Sequence, residues 1–200
     1  MGGFRLLETW ANANYLSYLL RLIHRNKPDF LLRYGQREVG VEFTEAISEE
    51  MAETRALAEH IGEKVTLSMD HFKRGTPKRT AAGRRQIIRT QPVVPGWADE
   101  EAEHEWALSI MESVLAKTKD FDKPGFKKYD RNWLLIYDNL SVQLEEIEEI
   151  QNAIGYLRAA LNSYWVKKNR YDGVLVEIQN QLIEIQPLQW NQQPLIYLWT

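Results

Sequence analysis

The hydrophobic positions along this chain change period near Pro28. Before it, Leu6, Trp10, Leu16, Leu20 and Ile23 recur at helical spacing, and a second stripe runs through Tyr15, Leu19 and Leu22 and reaches back to Glu8. That pattern predicts a helix over Phe4–Arg25. Proline favours an extended residue before it, so the helix is expected to end by then. After Pro28 the period shortens to two: Val39, Val41 and Phe43 alternate with Gly40, Glu42 and Thr44. Strands are predicted near Asp29–Tyr34 and Glu38–Glu45, joined by a turn at Gly35. Glu42 and Thr44 then share a face, opposite Val41 and Phe43.

Good helix formers over Ser48–Ile61 predict the next helix. Past Gly62, Val65–Met69 and Gln86–Thr90 read as two strands of an inserted hairpin spanning residues 63–98, with Gly75, Pro77 and Gly83 at its tip. Asp99 is the expected cap of a helix running to about Lys119, whose inner stripe is Trp106, Ile110 and Val114, with Lys117 on the same line. Asn132–Tyr137 reads as a strand buried on both faces, typical of a parallel position. A helix over Val142–Lys168 follows, with an acidic, solvated surface at Glu145–Glu149. Tyr171–Gln179 and Leu182–Gln186 form a predicted hairpin. A strand, a helix and a buried strand in succession imply a right-handed crossover to a parallel neighbour. The expected fold is one α/β domain with a mixed central sheet flanked by helices.

Composition narrows the class. At 200 residues, 44% hydrophobic and 26% charged, with 11 Gly and 7 Pro, the chain has enough material for a core and is not of disordered type. Without cysteine it can hold neither disulfides nor thiolate chemistry. No apolar run reaches the length of a membrane span and no signal-peptide layout is present, so a cytoplasmic protein is expected. The net charge of −3 is unevenly spread. Between His71 and Ala98 there is no acid, while Lys73, Arg74, Lys78, Arg79, Arg84, Arg85 and Arg89 carry positive charge; Asp99–Glu105 then reverses the sign. Such a segment, with Phe72 and Trp97 near it, is a candidate for phosphate contacts and base stacking on nucleic acid. The competing reading is a solvated hairpin neutralised by the acidic stretch that follows.

Candidate chemistry centres on two acids. Lys27-Pro28-Asp29-Phe30 and Gly40-Val41-Glu42-Phe43-Thr44 place Asp29 and Glu42 on neighbouring strands, an arrangement suited to a hard divalent cation. This motif resembles the PD-(D/E)XK nuclease superfamily, whose core sets Pro-Asp and Glu-x-Lys on adjacent strands. The resemblance extends from the first helix through the acid-bearing strands and loosely to Trp133–Tyr137. It implies a restriction-endonuclease-like core with an inserted basic segment, Mg²⁺ or Mn²⁺ as cofactor, and hydrolysis of phosphodiester bonds in nucleic acid. It further implies that Asp29, Glu42 and the carbonyl of Phe43 hold the metal, and that Glu8 lends support from the first helix.

Thr44 stands where the family has its lysine. A threonine can hydrogen-bond a water but supplies no charge, so the lysine must come from elsewhere or the site is inactive. Lys117, on an otherwise apolar helix stripe, is the expected replacement. The ordinary structural roles are a turn cap for Asp29, a solvent-facing strand residue for Glu42, a first-turn acid for Glu8 and a core-packed stem reaching water for Lys117. The alternative to a nuclease is a catalytically inactive relative that binds nucleic acid or a protein partner. A third expectation concerns the tail Pro194–Trp199, whose aromatics must bury in the domain or in a second copy, making a homodimer. No phosphate-binding glycine loop, dinucleotide fingerprint or zinc-type histidine pair is present.

Overall fold

A computed structural model describes residues 21–195 apart from 74, 93–96, 99, 141, 143, 145 and 179. Residues 4–20 of the predicted helix, with Glu8, the Asp99 cap and the tail beyond Leu195 lie outside the described residues. Two compact units emerge. The first takes the described residues up to Ala46, then Ile110–Asp138, then those from Ala160 onward; the second takes Ile47–Ser109 and Asn139–Ala159.

All strands of the described residues lie in the first unit and form one sheet. They are β1 (Arg21–His24), β2 (Phe30–Tyr34), β3 (Arg37–Ala46), β4 (Arg131–Asp138), β5 (Gly173–Ile178), β6 (Gln181–Ile185) and β7 (Trp190–Pro194), in spatial order β1 to β7. Two antiparallel meanders, β1–β3 and β5–β7, flank the parallel trio β3, β4 and β5. The fold class is therefore α/β with a mixed sheet, as the alternating pattern predicts. The β2–β3 turn falls at Gly35, whose φ of 57° a residue without Cβ adopts at little cost. β4 and β5 are buried on both faces. One face gathers Phe30, Leu32, Val39, Val41, Trp133, Leu135, Leu175 and Leu182 into a core cluster, and Leu195 joins it. The other carries Leu31, Glu42, Ala46, Leu134, Ile136, Val174 and Val176.

The helices are α1 (Glu49–His60), α2 (Ala81–Thr90), α3 (Glu101–Thr118) and α4 (Ile147–Trp165). Ser48 caps α1, its side chain accepting from Met51 N at 3.2 Å. Trp106, Ile110 and Val114 are fully buried along α3, as their spacing predicts. The helix predicted from Val142 starts only at Ile147, where Glu149 Oε2 accepts the Glu146 N–H at 3.0 Å. No helix among the described residues is long and apolar enough to cross a membrane.

Two expectations need correction. Arg21–His24 is not the end of a helix but an edge strand, paired from Arg21↔Arg33 to His24↔Phe30. A four-residue stretch with only Leu22 and Ile23 apolar fits either period, and the open edge of β2 decides it. Val65–Ser68 forms no strand, and Gln86–Thr90 belongs to helix α2, with Gly83 inside the helix rather than at a hairpin tip. Here Thr80 caps the helix by accepting from Gly83 N, Gln91 closes it in the left-handed region, and Ile87 and Ile88 turn inward. The isoleucine pair looks like a strand, but the Ala, Arg and Gln residues before it favour the capped helix. Trp190–Pro194 also adds an edge strand where no element is expected. Its polar residues suit an edge, and Pro194 falls at its end, where no ladder donor is needed.

A candidate carboxylate and lysine cluster on the sheet

The sheet register sets the candidate site. Phe30 pairs with Val41, so Asp29, one residue earlier, falls opposite Glu42 on the same face of the first unit. Pro28 precedes it and has no N–H to continue the ladder. The Asp29 side chain supplies an acceptor at this point, its Oδ2 accepting the Phe43 N–H at 2.7 Å. A strand residue sends its N–H and C=O to the same side, so the Phe43 carbonyl also leaves toward Asp29 rather than toward β4. Gly40, two residues before Glu42, keeps this corner tight: a Cβ there would lie 2.9 Å from the Pro28 side chain and 2.7 Å from that of Tyr129.

Glu42 is 4% exposed. Its Oε1 accepts from Lys117 Nζ at 2.8 Å, while its Oε2 is buried without a hydrogen-bond partner. Burial raises the carboxyl above its usual range, opposed by the Lys117 hydrogen bond and charge and reinforced by the nearby Asp29 and Asp120 carboxylates. Leaving a buried carboxylate oxygen unpaired is costly, and such groups call for an explanation.

Lys117 stands in the last turn of α3, and two tyrosines hold that turn. The Thr118 hydroxyl donates to the Val114 carbonyl at 2.7 Å and meets the Tyr164 hydroxyl at 3.1 Å. Tyr164 in turn accepts the Tyr171 N–H at 2.8 Å, and the Tyr171 hydroxyl donates to the Lys117 carbonyl at 3.4 Å. Both tyrosines are fully buried. Burial, followed by the charge of Glu42, pushes the Tyr171 phenol far above its ordinary value, so it stays neutral. Beyond α3, Asp120 lies 3.9 Å from Lys117 Nζ through Oδ2 and pairs with Lys123 through Oδ1. Sequence reasoning missed Asp120. The signal available was its place three residues after Lys117, one helical turn on.

Asp29, Glu42, Phe43 and Lys117 are thus brought together. Thr44 follows on the same face of β3, half-buried. Glu8 lies outside the described residues. Among the described residues no three His, Asp or Glu side chains converge to form a metal-holding group by themselves.

The basic segment lies in the second unit, and its charges are largely spent internally. Lys78 reaches Glu53 at 2.8 Å and Glu49 at 3.4 Å, Arg79 pairs with Glu50 at 3.2 Å, and Arg84 with Glu53 at 3.1 Å. Lys73 lies 4.2 Å from the centre of the Trp97 ring and 3.9 Å from Glu101. Most of the neutralising acids come from α1, not from the Asp99–Glu105 stretch. Phe72 is buried and offers no stacking face. Arg85 and Arg89, one turn apart on α2, remain exposed, and Arg74 lies outside the described residues.

Set against known proteins, the chain matches no family model, and no curated protein or solved structure is significantly similar to it. Its function must be argued from the site.

Proposed function

We propose that this protein is a divergent metal-dependent phosphodiesterase of the PD-(D/E)XK type, acting on nucleic acid. One observation carries the reading: Asp29, just before β2, lies opposite Glu42 on β3, with the Lys117 ammonium 2.8 Å from Glu42 and a buried Glu42 oxygen still without a partner. The strand order supports it too, since an antiparallel meander carrying both acids leads to a parallel β4.

The residues fit a divalent cation. Mg²⁺ is commonly held by one or two carboxylates with waters and substrate completing its shell, so two acids and a strand carbonyl suffice. Glu42 Oε2, Asp29 and the Phe43 carbonyl would hold it, and the bound ion would supply Lewis acidity to the scissile phosphate and its attacking water. Lys117 supplies the positive charge that Thr44 lacks, from a helix rather than from the strand. A positioned cation of this kind stabilises charge that develops on the phosphate oxygens. Thr44, two residues after Glu42 on the same face of β3, can orient a water through its hydroxyl. Arg85 and Arg89 offer phosphate contacts that position a strand without reading its sequence.

Calorimetric titration of Mg²⁺ and Mn²⁺ tests the reading, with an Asp29→Ala/Glu42→Ala double variant beside the wild type. Binding that vanishes in the variant, together with cleavage of single- or double-stranded substrates, supports it. Lys117→Ala should then lower the cleavage rate by about 100- to 1000-fold, the usual loss for a preorganised electrostatic group. Thr44 favours a second reading, a non-catalytic nucleic-acid binder. Nucleic-acid binding with no cleavage at any metal concentration would decide for it.

A further inference from the structure

The described part of the site holds carboxylates on Asp29, Glu42 and Asp120, and ammonium groups on Lys117 and Lys123. The ammonium of Lys117 is not centred between its acids. It lies 2.8 Å from Glu42 Oε1 and 3.9 Å from Asp120 Oδ2. Asp120 is anchored on its other oxygen by Lys123 and needs no movement to accept a second cation. The backbone under Lys117 is fixed by Tyr171 and by the Thr118–Tyr164 contact, which leaves the flexible lysine side chain as the part able to move.

We propose that Lys117 is an exchangeable counter-ion: it neutralises Glu42 through Oε1 and transfers to Asp120 when a divalent cation arrives at Oε2. The inference rests on the metal reading above and adds Asp120 as a positioning residue. A dication and an ammonium cannot both sit against one buried carboxylate without strong repulsion, because the low local polarity barely screens it. Expelling the ammonium into solvent would remove it from the reaction. Asp120 keeps it within the cluster, neutralised but near the position of the substrate phosphate. The same exchange explains how Glu42 stays buried without a dication, since Lys117 compensates its charge meanwhile.

Magnesium titrations of the wild type, Lys117→Gln, Asp120→Asn and the double variant test this, read by calorimetry and by the ¹⁵N signal of the Lys117 ammonium. Lys117→Gln should bind Mg²⁺ about tenfold tighter or more, as expected for removing a like charge at close range. Asp120→Asn should weaken binding several-fold in the wild-type background and leave it nearly unchanged in Lys117→Gln, because Asp120 acts through the lysine. The wild-type Lys117 signal should shift along the same saturation curve as the heat. Mg²⁺ saturation with that signal unmoved, or equal losses from Asp120→Asn in both backgrounds, overturns the exchange but keeps the metal site. No Mg²⁺ binding by either the wild type or Lys117→Gln overturns the metal reading and the exchange together.

Discussion

At the scale of single residues, the stability of the first unit turns on how Glu42 is compensated. Lys117 is its hydrogen-bond partner, and that lysine side chain is 26% exposed against 6% for Glu42. Breaking a fully buried pair costs several kcal/mol, but Lys117 keeps some contact with water and Glu42 can take up a proton. Lys117→Met should therefore destabilise the protein by about 1–3 kcal/mol in urea unfolding without metal. If a dication replaces the ammonium, saturating Mg²⁺ should recover part of that loss. His71 gives a separate test in the second unit. Burial, then the charge of Arg79, holds its imidazole below its ordinary value of 6.5, with Asp70 opposing. The unfolded chain therefore takes up a proton near 6.5 while the folded protein does not. Stability should fall as pH drops from 6.5 toward the lower folded value and show no further loss from this group below that value. His71→Gln should flatten this part of the urea midpoint against pH; an unchanged slope would assign it to other groups. Asp29, Glu42 and Lys117 are legible as candidates because each breaks a local pattern: a Pro-Asp pair, an acid on an alternating strand, a lysine on an apolar stripe. Asp120 breaks no pattern, and only its position after the helix makes it relevant.

At the scale of elements, agreement between sequence and structure follows how far each local signal is unambiguous. The alternation of β3, the doubly apolar β4 and the stripe of α3 each fit one period over enough residues to leave no competitor. Arg21–His24 and Ile87-Ile88 are too short for that, and pairing in one case and capping in the other decides them. Close packing supplies a test of its own. A Cβ at Gly173, the first residue of β5, would lie 2.3 Å from the Trp133 ring. Gly173→Ala should cost about 2–3 kcal/mol by overpacking, seen as a lower urea midpoint with the unfolding slope unchanged. Helix α2 illustrates a different point. A basic stretch of sequence without acids suggests an interaction surface, but α1 supplies Glu49, Glu50 and Glu53 to Lys78, Arg79 and Arg84. If α2 contacts nucleic acid, Arg85→Ala/Arg89→Ala should weaken binding and reduce the salt-dependence slope by about one for each phosphate that the arginines neutralise. A salt slope unaffected by these changes would remove α2 from the interface.

At the scale of the whole molecule, each unit carries its own candidate chemistry. The described members of the acid and lysine cluster all lie in the first unit, and Arg85 and Arg89 lie in the second. Calorimetry on the cluster and salt-dependent binding through α2 can therefore succeed or fail independently. The sequence by itself determined the α/β class, the hairpin that carries both acids, the buried parallel strand and the helix that carries Lys117. Those follow from hydrophobic periodicity and turn residues, which act over a few neighbouring positions. Tertiary structure alone decided that Asp29 and Glu42 stand opposite each other, that Lys117 reaches across from residue 117 to residue 42, and that Asp120 joins them. It also decided that most of the basic segment is neutralised by α1. Each depends on sheet register or on pairing between residues far apart in the chain, and neither is written in local periodicity.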